Sequence, residues 1–358
     1  VICSELRQIA LRRLHTQQIA RTHFKQPGAL LTWLGAIQGQ DYAGTKWTLG
    51  LRLPGSKDAD IERALAGKAI VRSWILRGTL HFAAAEDLRW MIELVAERLI
   101  SGSARRYREL ELDEKTLVRS NDLLVKSLQG GQRRTRPELF AMLEQNGIST
   151  LGQRGVHLLQ RASLDGLICQ GETQRNQPTF FALEELPAAS TLSRDEALAE
   201  LARRYFTSRG PATLQDFVWW SGLSTADARA GLDAVQEQLL QEVVEGQTYY
   251  CSPATPAVQD TSPAAYLLPG FDEYLLAYKD RRAVLDDPLY QRKTPTNGML
   301  PATIVIDGKV TGTWRRAFKK ETVSLQANPF RELNKEEQAA LVAAGKRYAV
   351  FLGMKSAE

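Results

Sequence analysis

Residues 135–147 read TRPELFAMLEQNG, a stretch that carries its own start and stop signals for a helix. Thr135 is placed to cap the N-terminus, Pro137 lies just inside the start, where a missing N–H costs little, and Gly147 follows the end. EKTLVRSNDLLVKSLQGG (114–131) precedes it, and GQRGVHLLQRASLDGLICQG (152–171) and the β-rich QPTFFAL (177–183) follow. Three helices and then a wing strand is the order of a winged helix.

The same order recurs on either side. Upstream, LRRLHTQQIART (11–22) has apolar residues at helical spacing, and PGALLTWLGAIQGQ (27–40) opens a second helix at Pro27. ADIERALAGKAIVRSWILRGTLHFAA (59–84) then gives a short helix, a stop at Gly67 and two β-rich runs around Gly78. Downstream run SRDEALAELARRYFTSRG (193–210), TLQDFVWWSG (213–222), STADARAGLDAV (224–235) and LLQEVVEGQTYYC (239–251), with Ser193 and Ser224 able to cap helices. The expected fold is mainly α with small β wings, an α+β class built from three tandem winged-helix units. The expected segments are 1–95, 96–190, 191–255 and a C-terminal α/β part, 256–358. SPATPAVQDTSP (252–263) has the composition of a linker. Asp307-Gly308 is the strongest hairpin signal in the chain, and Asn334 is placed to cap a last helix.

Composition narrows the function. The 358 residues are 44% hydrophobic, ordinary for folded material. No apolar run approaches the about 18 residues of a membrane span, and VICSELRQIALRRLH (1–15) is too charged for a signal peptide. We therefore expect a cytoplasmic protein with no membrane partner. Cys3, Cys169 and Cys251 lie far apart and the four histidines are scattered, so neither a disulfide framework nor a metal site is expected. Lys and Arg number 46 against 41 acids. From Arg98 to Arg136 ten basic residues, among them Arg133, Arg134 and Arg136, face five acids, while KVTGTWRRAFKK (309–320) holds five bases and no acid. Two such clusters suit a nucleic-acid surface, although either alone is as readily a solvated face.

The stretches QGQDYAG (38–44), VRSWILRGTLHF (71–82), ALAELARRYFTSRGPATLQDFVWWSGL (197–223), LLPGFDEYLLAYKDR (267–281) and IDGKVTGTWRR (306–316) occur in that order. Together they resemble the winged-helix DNA glycosylases of the AlkZ/YcaQ type, over nearly the whole chain. The resemblance implies three winged helices in a concave DNA-binding arrangement and catalysis by a QΦQ or QΦD motif, here Gln38 and Gln40. Members with QΦQ resemble the enzyme that confers self-resistance to the crosslinker azinomycin B. The expected activity is that of a monofunctional glycosylase, a cofactor-free monomer acting on DNA in the bacterial nucleoid. It would hydrolyse the N-glycosidic bond of N7-alkylguanine and N3-alkyladenine, bulky adducts and interstrand crosslinks included, and leave an abasic site. The alternative is a non-catalytic winged-helix DNA-binding protein such as a regulator.

The residue types fit that chemistry. An alkylated purine is already cationic and leaves readily, so two neutral amides that orient one water suffice where a normal base would demand a carboxylate. The central motif position is Gly39 where the family has an apolar residue, and Trp33 or Tyr42 is a candidate for filling its place. Arg72 and Arg77 are candidates for binding phosphates. Thr79 and His81 share a strand face and are candidates at the lesion, with an ordinary histidine an equal reading for His81. Arg133, Arg134, Arg136, Arg315, Arg316, Lys319 and Lys320 complete the candidate DNA-binding set, with Arg315 and Arg316 behind the Asp307-Gly308 hairpin, which resembles a family element that probes DNA near the lesion. Trp74 is expected in the core, as are Trp219 and Trp220 with one of them open to exposure. Asp272 and Glu273 read as turn or cap residues in preference to a general base pair.

Overall fold

A computed structural model describes residues 2–187, 191–255, 264–285 and 300–356. The fold is mixed α+β, with helices predominating and several small sheets. Most of the expected linker lies outside the described residues.

The chain packs as two compact units, residues 62–197 and residues 1–61 with 198–358. In the first, helices Glu114–Leu128, Arg136–Gln145 and Arg154–Leu164 are followed by strands Ile168–Gln174 and Gln177–Ala182. Glu138 closes the capping box of the middle helix by accepting from the Thr135 N–H at 2.7 Å. Strands Ile70–Trp74 and Leu80–Ala84 pair antiparallel, and Arg72 stands opposite Gln170 to join the two hairpins. Leu124, Leu139, Leu143, Leu159, Ile168 and Phe180 fill the core, with Trp74 packed against it as expected. Helix Leu88–Gly102 runs through the expected boundary at residue 95 and packs against helix Arg154–Leu164. Residues 154–164 accordingly present no exposed position.

In the other unit, helices Arg194–Arg209, Leu214–Ser221 and Thr225–Val235 precede the antiparallel hairpin Leu240–Val244 and Gln247–Cys251. Ser224 caps its helix through the Asp227 N–H at 3.0 Å. Trp220 is wholly buried, while Trp219 is 46% exposed. A five-stranded sheet follows, in the order Ala265–Leu268, Thr303–Ile306, Lys309–Lys319, Thr322–Pro329 and Lys355–Ser356.

Two sequence expectations change here. PGALLTWLGAIQGQ is not one helix. The helix ends at Leu34, Gly35 turns the chain at φ 74°, and Ala36–Gln38 is a strand. The Asp307-Gly308 turn exists, with both residues at positive φ, but it does not project. A Cβ on Gly308 would stand 2.9 Å from Ala10 Cβ, and Tyr274 donates to the Gly308 carbonyl at 2.8 Å. The exposed hairpin is the next one, Lys309–Lys319 with Thr322–Pro329, turning at Lys320 and Glu321.

The last helix, Lys335–Leu352, starts on a capping box in which Asn334 accepts from the Glu337 N–H at 2.9 Å. Arg331 donates to both Glu337 carboxylate oxygens at 2.6 and 2.8 Å, and this holds the carboxyl down at about 2. The stability it adds is present above its ordinary value of 4.5 and is lost as pH falls toward 2. Glu337→Gln keeps the cap and loses the ion pair. The variant is expected to melt below the wild type at neutral pH, with the difference closing on acidification through that window in a series of thermal melts.

Candidate active site

Strand Ala36–Gln38 delivers the two glutamines at its C-terminal end. Gln38 is 9% exposed, Gly39 is buried, and Gln40 opens to solvent. Asp41 then caps helix Tyr42–Arg52, accepting from the Gly44 N–H at 3.1 Å. The cap leaves no room beneath it: a Cβ on Gly44 would lie 2.4 Å from Asp41 Oδ2. Thr45 donates its hydroxyl to the Gln38 carbonyl at 2.9 Å and to the Asp41 carbonyl at 2.7 Å, so strand end and helix start are tied together. Trp33 is engaged elsewhere, tilted against Phe24 and donating to the Thr16 carbonyl at 3.0 Å. The Lys46 ammonium lies 5.2 Å from the centre of the Tyr42 ring.

Behind the strand lies a set of buried charges. Asp272 caps the short helix Glu273–Leu276, as expected, and also accepts two bonds of 2.9 Å from the Arg52 guanidinium. Glu273 is fully buried: its Oε1 accepts from the Gln38 N–H at 2.9 Å. Its Oε2 accepts from Arg209 Nη2 and Trp220 Nε1, both at 2.8 Å, and from Arg209 Nε at 3.1 Å. Tyr278, whose phenol burial pushes up to about 12, donates to the Arg209 carbonyl at 2.8 Å. Glu273 at the motif strand was missed by the sequence reading, since its role depends on a partner 235 positions away.

In the unit of residues 62–197, Arg77, Thr79 and His81 meet at one turn. Arg77 has φ 57°, a left-handed conformation costly for a side chain of its size. Its Nη2 stands 3.3 Å from His81 Nε2, and His81 Nδ1 lies 2.9 Å from the Thr79 carbonyl. A guanidinium can only donate, so Nε2 accepts and Nδ1 carries the proton. His81 is wholly buried. Arg72 is buried as well, its Nη1 donating to Gln170 Oε1 at 2.6 Å.

The basic clusters divide in the same way. Arg133 is a structural ion-pair residue: it donates to both oxygens of Glu185 at 2.9 Å, stands 3.4 Å from Glu172, and lies over the Phe181 ring at 4.7 Å. Burial opposes ionisation of Glu185, yet Arg133 and Lys68 hold its carboxyl below the usual range. Arg134 and Arg136 are exposed. On the long hairpin, Arg315, Lys319 and Lys320 are exposed, and so is Phe318. Arg316 is half-buried, bonded to the Tyr348 hydroxyl, with its guanidinium over Phe318.

Three similarities bear on this arrangement. A protein-family model described as DNA glycosylase AlkZ-like matches residues 31–351. An interstrand DNA cross-link repair glycosylase of Streptomyces sahachiroi is 24% identical over 312 residues, covering 78% of this chain and 80% of its own. The solved structure of the Streptomyces sahachiroi DNA glycosylase AlkZ superposes with a TM-score of 0.76 over 98% of both chains at 21% identity, a likeness of fold.

Arg133 and Arg134, neighbours in sequence, are expected to separate by experiment. Arg133→Glu sets a third acid beside Glu185 and Glu172 and should cost on the order of 2 kcal/mol of stability, read as a lower melting temperature. Arg134→Glu should leave melting unchanged and weaken DNA binding.

Proposed function

The chain belongs to the AlkZ-like family of DNA glycosylases, and we propose that Gln38 and Gln40 carry its reaction on cationic N-alkylpurines in duplex DNA. The observation that supports the reading is the motif itself: two uncharged amides at the end of a strand whose peptide groups are fixed from behind by buried partners. In the proposed reaction the C1′–N9 bond of an N7-alkylguanine breaks, and its electron pair returns to the ring and cancels the positive charge. Water attacks C1′ and its proton passes to solvent. Glutamine takes no proton; its carbonyl oxygen orients the water by accepting a hydrogen bond. Neutral, undamaged bases leave too poorly for this amount of help and are spared. Crosslinked and bulky adducts belong to the proposal because an open winged-helix surface needs no deep pocket to enclose the base.

A regulator that reads sequence is disfavoured by the helices it would use. Helix Arg154–Leu164 has no exposed residue. The exposed positions of helix Thr225–Val235 are Thr225, Ala226, Arg229, Ala230, Asp233 and Ala234, with a single cation among them. Recognition helices in a major groove need an exposed row of base-reading side chains. We assign DNA binding instead to Arg134 and Arg136 in one unit and to the hairpin carrying Arg315, Lys319 and Lys320 in the other, with Arg77 a further candidate for a phosphate.

Single-turnover excision of N7-methylguanine, with alkali to reveal abasic sites, tests the assignment. Gln38→Ala and Gln40→Ala should each slow excision about tenfold to a hundredfold at unchanged DNA affinity, since one hydrogen bond to the attacking water is worth ~1.5–3 kcal/mol. Undamaged guanine should survive throughout. Full activity in both folded variants would sink the assignment. For the hairpin, alanine at Arg315, Lys319 and Lys320 together should weaken binding to damaged and undamaged duplex alike. The salt dependence should fall by roughly one unit of slope for each phosphate the hairpin no longer neutralises. Unchanged binding would remove the hairpin from the interface.

A further inference from the structure

Resting on that reading of Gln38 and Gln40, we propose that Glu273 is a positioning residue for the two-amide site, acting through the Gln38 peptide. In an extended strand the backbone groups of alternate residues point to the same edge. Ala36 and Gln38 form such a row. Along it, Arg209 Nη2 donates to the Ala36 carbonyl at 2.7 Å and Glu273 Oε1 accepts from the Gln38 N–H at 2.9 Å, while Arg209 Nη1 donates to the carbonyl of Leu34, the last residue of the preceding helix, at 2.6 Å. Thr45 supplies the last partner, at the Gln38 carbonyl. One buried ion pair thus does for this edge what a neighbouring strand does in a sheet, and Gln40 stands next beyond the row it holds.

The two carboxylate oxygens are divided between separate tasks. Oε2 takes the two Arg209 nitrogens and the Trp220 indole, which suffices to balance the charge of Arg209. Oε1 reaches the motif peptide. A residue needed only as a counter-ion would have no use for this second bond. A neutral amide also tolerates little error in placement: its dipole must be aligned with the water it orients, whereas a carboxylate attracts from a range of angles. The site that dispenses with charge therefore depends more on what holds its backbone.

Two substitutions separate positioning from charge balance. Glu273→Gln keeps the shape and turns an amide N–H₂ toward either the Gln38 N–H or the Arg209 and Trp220 donors. Because it also leaves Arg209 without a counter-ion, it can fail to fold. Glu273→Asp keeps the charge beside Arg209 and shortens the reach by one methylene, so that it cannot serve Arg209 and Gln38 at once. Single-turnover excision of N7-methylguanine and duplex affinity are measured for both, with Gln38→Ala as reference. The expected result is excision slowed about tenfold to a hundredfold in Glu273→Asp at unchanged affinity. The loss in Gln38→Ala/Glu273→Asp should fall short of the product of the single losses, since both act on one site. Wild-type excision by folded Glu273→Asp, with Gln38→Ala slow, overturns the positioning role and leaves the two-amide reading standing. Wild-type excision by Gln38→Ala and Gln40→Ala sinks that reading itself. A crystal structure of Glu273→Asp with Gln38 undisplaced overturns the proposal whatever the substrate.

Discussion

Two buried ion pairs, Arg52 with Asp272 and Arg209 with Glu273, hold together parts of the chain that lie far apart in sequence. All four side chains are at most 1% exposed. Arg52 Nε donates at 2.9 Å to the carbonyl of Gln17, the residue that follows the first helix, Ile2–Thr16, while Arg209 reaches back to Leu34 and Ala36. Such pairs add little net stability, because desolvating the charges cancels much of the attraction, yet removing one partner costs about 3–5 kcal/mol. Their effect is geometric: they leave the strand Ala36–Gln38 one place to stand.

How much of this was legible follows from which interactions are local. Asp41 and Gly44, Thr135 and Glu138, Ser224 and Asp227, and Asn334 and Glu337 are each three residues apart, so their caps can be read from sequence, as can the positive-φ turn at Asp307 and Gly308. The glutamine pair was legible as a motif, and Asp272 as a cap. What escaped reading depends on distant partners. Gln38 reads as a helix end because nothing near it announces that Arg209 and Glu273 bind the backbone of strand Ala36–Gln38. Arg72 and Arg133 looked like phosphate ligands because a cation's partner, Gln170 or Glu185, is invisible until the chain is folded. Which of two successive hairpins projects was settled by Tyr274 and the first helix, which bury the turn at Gly308.

The winged-helix order and the function draw apart. Helix Leu88–Gly102 covers the helix that would read bases in the unit of residues 62–197, so the motif serves there as framework, with Leu159 and Leu164 facing core in place of a groove. A repair enzyme benefits from that arrangement, since its target is defined by chemical damage and can sit in any sequence.

The bond between Gln38 and Glu273 also has a temporal side. The ribosome releases the two glutamines first, and the carboxylate that meets their backbone follows 235 residues later. Until then the motif is a short segment lacking one of its edge partners. The backbone of the motif is thus held on that edge only after Glu273 has left the ribosome, a form of timing written into contact order.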